Sequence, residues 1–329
     1  MPAAIGGGVR RLHVLPDLSG GGAERLVLAH SRLCPEVTVA TVFGGGPLAA
    51  EFGEGVVLGE RRNGRPSLLA FARLIAAARA ADVVHTHLFA GDLWGGMAAR
   101  LAGRPVVSHE HNVDVDESQH VRAARRLSAW MPARTLAVSE AAARHSFARR
   151  IEVVPNGVDL ARYAAPWRGG GGLLAVGRRV PQKGFDVLLA ALPPDTPLRV
   201  VGEGPFAPPT PGVAWLGTRD DLPDLFAAAD ALVVPSRWEG FGLVALEGLA
   251  AGTPVIASDV PGLRDVVGGA ALLVPPGDAA ALRAAIQRVL GSRALREELS
   301  ALGRLRARRY ELQLTFAAWE RAGHEAVAS

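Results

Sequence analysis

The sequence predicts an α/β protein made of two Rossmann-like, doubly wound domains that face each other across a cleft. Two observations carry that prediction. Short apolar runs alternate along the chain with longer stretches of helical periodicity, the pattern of a parallel sheet covered by helices. The alternation breaks once, at the Pro/Gly-rich segment AAPWRGGGG over residues 164–172, and then restarts, so the chain reads as two βαβ domains joined by a linker.

In the first half the strand candidates are RLHVLP, VTVATVF, DVVHTH, RPVVSHEH, RTLAVS and IEVVPN, each short and apolar at its centre. Between them the spacing predicts helices over Ala23–Ser31, Ser67–Ala81 and Val121–Met131. The second half repeats the pattern with LLAVG, LRVVG, VAWLG, ALVVPS, PVIAS and ALLVPP. DAAALRAAIQRVL and a long arginine-rich helical tail from Arg293 onward follow the last of these. The expected boundaries are therefore 1–164 for the first domain, 165–305 for the second and 306–329 for a C-terminal helix, for which a course back to the first domain is open.

At 329 residues, each half is long enough to bury its own core. With 49% hydrophobic and 21% charged residues the balance is that of a soluble globular protein, not a disordered one. The single Cys34 excludes a disulfide framework and a multi-cysteine metal site, and it fits a reducing cytoplasm. No apolar run approaches the roughly 20 residues that span a bilayer, and MPAAIGGGVRR lacks the order of a signal peptide. The expectation is a cytoplasmic protein with no nucleic-acid partner. The formal charge of +4 falls in the first half, where it serves either an acidic substrate or membrane surface or simply a solvated exterior.

Lys183, in VGRRVPQKGFD, is the only lysine; the other cationic side chains are arginines. Either drift toward arginine left it behind, or its site needs an ammonium ion. The second reading draws on PSRWEGFGLVALEGLAAGTPVIASD. There a buried strand Ala231–Pro235 ends, a loop presents Glu239, Gly240 and Gly242 free the backbone, and a helix begins near Gly242. Unpaired N–H groups and the positive dipole end of that helix make a phosphate site. Glu247 follows about 7 Å along the axis, at about 1.5 Å per residue. Two carboxylates beside a diphosphate would repel it, so they fit as hydroxyl acceptors at its two ends, a sugar on one side and a ribose on the other.

These residues, with NGVD at 156–159 and GRRVPQKG at 177–184, resemble the retaining nucleotide-sugar glycosyltransferases of family 4, which have the GT-B fold. The resemblance runs from GGGAERLVL at 20–28 to PGLRDVV at 261–267. It implies that Glu239 meets the hydroxyls of the transferred sugar and Glu247 the nucleotide ribose. The backbone N–H groups of Phe241, Gly242 and Leu243 would hold the diphosphate, and Arg178 and Lys183 would neutralise it. A compact ammonium can point at one phosphate oxygen where a planar guanidinium presents a fork. Arg179 is expected to face solvent. Glu203 and GTRDDLP at 217–223 read equally as base contacts or as a plain turn.

In the first half, LHVLPDLSGGGAERL lacks the G-x-G-x-x-G spacing of a dinucleotide site, and Lys183 is followed by Gly184 where a Walker loop needs Ser or Thr. The resemblance makes Gly21 and Gly22 donor-binding residues of a loop that closes over the phosphates, with Glu24 placed to charge a helix N-terminus. His85 and His87 lie two apart on a strand end, as do His109 and His111; a zinc site is one reading. The resemblance instead places His87 by the reactive centre and Asn112 in the acceptor pocket, while His85 reads equally as a structural residue. Asp114 and Asp116 imitate a metal-binding motif but are read as chance, so neither metal nor cofactor is expected.

The function implied is retaining transfer of a sugar from a nucleoside diphosphate to the hydroxyl of a small or lipid-linked acceptor. The alternatives are an epimerase or hydrolase of nucleotide sugars with the same fold, and a catalytically silent nucleotide-sugar binding subunit. Membrane contact is a further alternative: SQHVRAARRLSAWM sets Val121, Ala124, Leu127, Ser128 and Met131 on one helical face against Arg122, Arg125 and Arg126, with Trp130 at the edge. The same stripe would equally pack on the sheet.

Overall fold

The computed structural model describes residues 8–52, 56–57, 59, 61–62, 65–113 and 118–329. The chain divides into two compact units, Met1–Pro155 with Gln313–Ser329, and Asn156–Leu312.

The first unit is built on a parallel sheet of β1 (Arg11–Leu15), β2 (Val37–Thr41), β3 (Val56–Val57), β6 (Val83–His87), β7 (Val106–Glu110), β8 (Arg134–Ala137) and β9 (Ile151–Val153). A separate pair, β4 (Arg61–Arg62) and β5 (Arg65–Pro66), is antiparallel. The order is β3-β2-β1-β6-β7-β8-β9. The chain thus winds one way from β1 to β3 and the other way from β6 onward, and the carboxyl ends of β1 and β6 flank the point of reversal, where such sheets bind ligands. Every residue of β1 and β6 is buried, as expected of strands covered on both faces. Leu12, Val14, Val84 and Val106 meet Leu74 and Ala78 of the helix Leu68–Ala80 in one core. That helix starts at Ser67, whose side chain accepts from Ala70 N at 3.2 Å and satisfies one of the unpaired N–H groups of the first turn.

The second unit repeats the plan with β10 (Leu173–Val176), β11 (Leu198–Val201), β12 (Val213–Trp215), β13 (Ala231–Val234), β14 (Val255–Ser258) and β15 (Leu272–Val274) in the order β12-β11-β10-β13-β14-β15. All pairs are parallel, and Leu173 lies opposite Leu198 on one side and Ala231 on the other. The reversal falls between β10 and β13. The loops after these two strands carry GRRVPQKG and PSRWEGFG.

All twelve apolar runs form strands, while β3, β4 and β5, of two residues each, are additions. The segment taken as a linker lies within the second unit. Trp167 Nε1 donates to Ala229 O at 2.7 Å, Arg168 N donates to Ala227 O at 2.7 Å, and Gly170 N and Gly172 N both donate to the carboxylate of Asp230, each at 2.9 Å. Its glycines bind it to the domain that follows. The arginine-rich tail is two helices, Arg293–Ala307 and Leu312–Val327. Between them Val158 N donates to Tyr310 O at 2.8 Å and Leu312 N to Val158 O at 3.1 Å. The last helix counts with the first unit from Gln313 on, where Thr315 Oγ1 donates to Pro155 O at 2.9 Å.

Candidate active site

In the second unit the two loops at the reversal are laced together. Arg237 N donates to Gln182 O at 2.8 Å, Gln182 Nε2 to Trp238 O at 3.1 Å, and the Arg237 guanidinium binds both oxygens of Asp186 at 2.9 and 2.6 Å. This fork holds the Asp186 carboxyl below the usual carboxylate range. Gly184, at φ +65°, passes so close to β13 that an added Cβ would sit 2.1 Å from Pro235 O; only glycine fits.

This lacing sets Lys183 beside Glu239. Lys183 Nζ donates to Glu239 Oε1 at 2.5 Å, and Ser236 Oγ donates to the same oxygen at 2.9 Å. The side chains are 19% and 10% exposed, enough to be reached yet held against motion. One ammonium proton is committed and two remain to donate. Directly after Glu239 the helix Leu243–Ala251 starts at Gly242, which has φ +96° and offers no side-chain cap. An added Cβ there would meet Leu263 Cδ2 at 2.5 Å. The helix thus begins three residues after Glu239, the carboxylate that holds the ammonium, and a helix N-terminus is a favourable setting for an anion. Phe241 is buried with its ring edge-on to Tyr310, so it contributes backbone, not side chain, to this end. Glu247 is partly exposed on the same helix.

Arg178 and Arg179, adjacent in sequence, lie in different surroundings. Arg178 is exposed, and its guanidinium has no partner among the described residues. The expectation that Arg179 faces solvent is corrected: its side chain is 13% exposed, 3.7 Å from Glu203, and its guanidinium lies 5.5 Å from the centre of the Trp215 ring. Glu203 in turn accepts from Thr218 N at 3.1 Å. The turn reading of 217–223 accounts for these contacts.

In the first unit the glycine loop leads into the helix Gly22–Leu33 with Gly21 as its cap residue. Glu24 is buried and folds back under the loop, with Ser19 Oγ 3.4 Å from its Oε1. An added Cβ at Gly21 would meet Glu24 Oε2 at 2.6 Å.

The histidines form a larger group than their spacing announces. His13 lies opposite His85 across β1 and β6, and His87 opposite His109 across β6 and β7. With two-residue alternation, His13, His85, His87, His109 and His111 share one face of three adjacent strands. His30, Phe316 and Trp319 pack against them. His87 has no exposed surface, and both its ring nitrogens are engaged, Nδ1 with His111 Nε2 at 2.9 Å and Nε2 with His13 Nδ1 at 2.8 Å. His111 is only partly buried, and Asn112 beside it is exposed. Burial pushes His13, His85, His87 and His109 well below the ordinary imidazole range and His111 down to about 4. Burial thus favours the neutral form of each of these five rings. Ligand atoms of His87, His109 and His111 lie within 4.8 Å of one another, the geometry behind a zinc reading, but an ion on His87 would have to displace one of its two hydrogen bonds, to His111 or to His13. Asp114 and Asp116 lie outside the described residues.

Asp92 was not legible as a special residue. It sits on a π-helical turn, Gly91–Gly95, that follows β6, a distortion frequent at functional sites. Its Oδ1 accepts from Thr86 Oγ1 at 2.6 Å and Ser108 Oγ at 2.7 Å. Burial first, and the charge of Glu110 second, raise its pKa to about 7. An acid that holds its proton more tightly folded than unfolded costs nothing below about pH 4, where both states are protonated. The cost then grows until about pH 7. Urea midpoints of the wild type are therefore expected to fall over pH 4–7 relative to those of Asp92→Asn, which cannot ionise; parallel curves would refute the assignment.

The helix Gln119–Ser128 buries no residue completely. Val121, Ala124 and Ser128 are partly buried, while Leu127 and Trp130 are 74% and 65% exposed. Arg125 turns inward to Glu110 at 2.9 Å. No helix among the described residues is long and apolar enough to cross a membrane.

Comparison with known proteins defines the class. Residues 20–162 match the family model described as Glycosyltransferase Family 4, and residues 170–292 the model described as Glycosyl transferases group 1. The first half thus carries a domain similar to the first model and the second half one similar to the other, and the two units have the GT-B architecture. The structure of Anabaena Alr3699/HepE in complex with UDP and glucose superposes with a TM-score of 0.83 at 22% identity, covering 98% of this chain and all of that one; at that identity the likeness speaks for the fold. Glycogen synthase of Mycobacterium tuberculosis is 38% identical over 190 residues, 50% of this chain and 45% of its own. Phosphatidyl-myo-inositol mannosyltransferase of Propionibacterium freudenreichii is 35% identical over 209 residues, 56% of this chain and 54% of its own. The chain thus spans about half the length of these relatives.

Proposed function

We propose that this protein is a retaining glycosyltransferase that moves a sugar from a nucleoside diphosphate to an acceptor hydroxyl without a divalent metal. The observation that carries the reading is the Lys183–Glu239 pair beside the uncapped helix start at Gly242. A diphosphate placed there meets the helix N–H groups, Lys183 and the exposed Arg178. Glu247 accepts from the ribose and Glu239 from the sugar. As the bond from the anomeric carbon to the phosphate oxygen breaks, fixed positive charge stabilises the charge gathering on the leaving group. The acceptor oxygen bonds on the same face and gives its proton to that phosphate, so Glu239 positions and does not attack.

UDP-glucose leads the donors to test, since a HepE structure similar in fold is a complex with UDP-glucose. A lipid acceptor is suggested by the name of the phosphatidyl-inositol enzyme. A thermal-shift panel of UDP, GDP, dTDP and ADP sugars is expected to yield stabilisation by one nucleotide class, and NMR of the product of that donor an unchanged anomeric configuration. No shift with any of them, or an inverted product, would sink the reading; product without an acceptor would favour the epimerase or hydrolase alternative. Turnover after EDTA treatment is expected to match the untreated enzyme. Abolition with rescue by Mg²⁺ or Mn²⁺ would overturn metal independence.

A further inference from the structure

Three buried histidines and the partly exposed His111 form a single hydrogen-bonded row. From its partly exposed end, His111 Nε2 meets His87 Nδ1 at 2.9 Å, His87 Nε2 meets His13 Nδ1 at 2.8 Å, and His13 Nε2 meets His30 Nδ1 at 3.2 Å. His30 Nε2 then meets Glu320 Oε1 at 3.0 Å. The other oxygen of Glu320 forms an ion pair with Arg11, which has no exposed surface. Every link joins the Nε2 of one ring to the Nδ1 of the next, so the row has a direction.

That direction is dictated at its inner end. A carboxylate only accepts, so the nitrogen of His30 that faces Glu320 must carry hydrogen. A neutral imidazole has one N–H and one lone pair. With one N–H on each ring, His30 accepts at Nδ1 and requires Nε2–H of His13; His13 requires Nε2–H of His87, and His87 that of His111. Reversing the row would aim a lone pair at the carboxylate of Glu320. The Nδ1 of His111 is left with its lone pair and no partner among the described residues. His85 and His109 stand apart from the row: His85 Nδ1 meets His109 Nε2 at 2.9 Å, and His85 Nε2 is buried without a partner.

We propose that Glu320, His30, His13 and His87 are positioning residues that act through three hydrogen-bonded rings to fix His111 as its Nε2–H tautomer, with the Nδ1 lone pair turned to accept a hydroxyl hydrogen. That the hydroxyl belongs to a sugar rests on the proposed function; the tautomer does not. The final helix, remote in sequence, thereby sets the hydrogen-bonding sense of a side chain at the open end of β7. Hydrogen-bond partners of this kind commonly decide which nitrogen of a histidine is available.

Long-range ¹H–¹⁵N correlation of the full chain labelled at the histidine rings reads the tautomers directly, near pH 7.5. The wild type is expected to show Nε2–H for His30, His13, His87 and His111. In His13→Phe, which interrupts the row without removing a charge, His30 keeps Nε2–H while His87 and His111 become tautomeric mixtures. Nδ1–H at His87 or His111 in the wild type overturns the proposal, and the wild-type spectrum decides it even if the variant does not fold. An unaltered His111 in a folded His13→Phe overturns it equally. The spectrum requires no turnover, so a fixed tautomer in a chain that transfers no sugar would refute the function alone.

Discussion

Lys183→Ala is expected to lower transfer about a hundredfold, equivalent to roughly 2.7 kcal/mol of transition-state stabilisation, a typical loss for one preorganised electrostatic group. The loss should fall on turnover and on the nucleotide-induced thermal shift alike, since the ammonium would meet the diphosphate both before and during departure. Lys183→Arg should not restore activity. The ammonium reaches Glu239 Oε1 at 2.5 Å from a loop closed by Gly184, and a planar fork cannot take that place without displacing the Ser236 hydroxyl bound to the same oxygen. Initial rates of the three proteins at matched folding, judged by circular dichroism, decide it. Wild-type turnover by Lys183→Ala would make the single lysine an accident of an arginine-rich composition.

What could be read in advance follows from where the physics is local. Strands covered on both faces are mostly apolar, so ALVVPS announced itself. The uncapped helix start at Gly242 was legible too, because glycines after a strand and before an apolar helical run have few other uses. Partners fixed by register or by distant chain were not legible. His85 and His87 are visibly on one face, but that His13 lies opposite His85 depends on the pairing of β1 with β6. That Glu320 closes the row depends on the last helix belonging with the first unit. Periodicity says that a helix forms, not which sheet it covers. The burial of Arg179 has a backbone cause: Gly177, at φ +152°, ends the alternation of β10, so strand parity no longer tells which side chain turns inward. Ser236 could have been suspected from a hydroxyl placed between the end of β13 and Glu239.

Gly184→Ala is expected to damage both stability and activity, and for one reason. At φ +65° a residue with a Cβ is strained by about 1–2 kcal/mol, and here the Cβ would also lie 2.1 Å from Pro235 O, far inside contact distance. Backbone must therefore move, either in the loop that carries Lys183 or in the strand end that leads to Ser236 and Glu239. Either movement separates the ammonium from the carboxylate. The combined cost should be roughly 2–4 kcal/mol in urea unfolding, at the large end for a single substitution, with transfer lost in the protein that still folds. Gly291→Ala is the control. Gly291 is the last residue of the helix Ala279–Gly291, and no heavy atom lies within 4 Å of an added Cβ, so alanine there should be neutral or stabilise by up to about 1 kcal/mol. If Gly184→Ala unfolded like that control and still transferred sugar, the close approach of the two loops would not be what holds Lys183 beside Glu239.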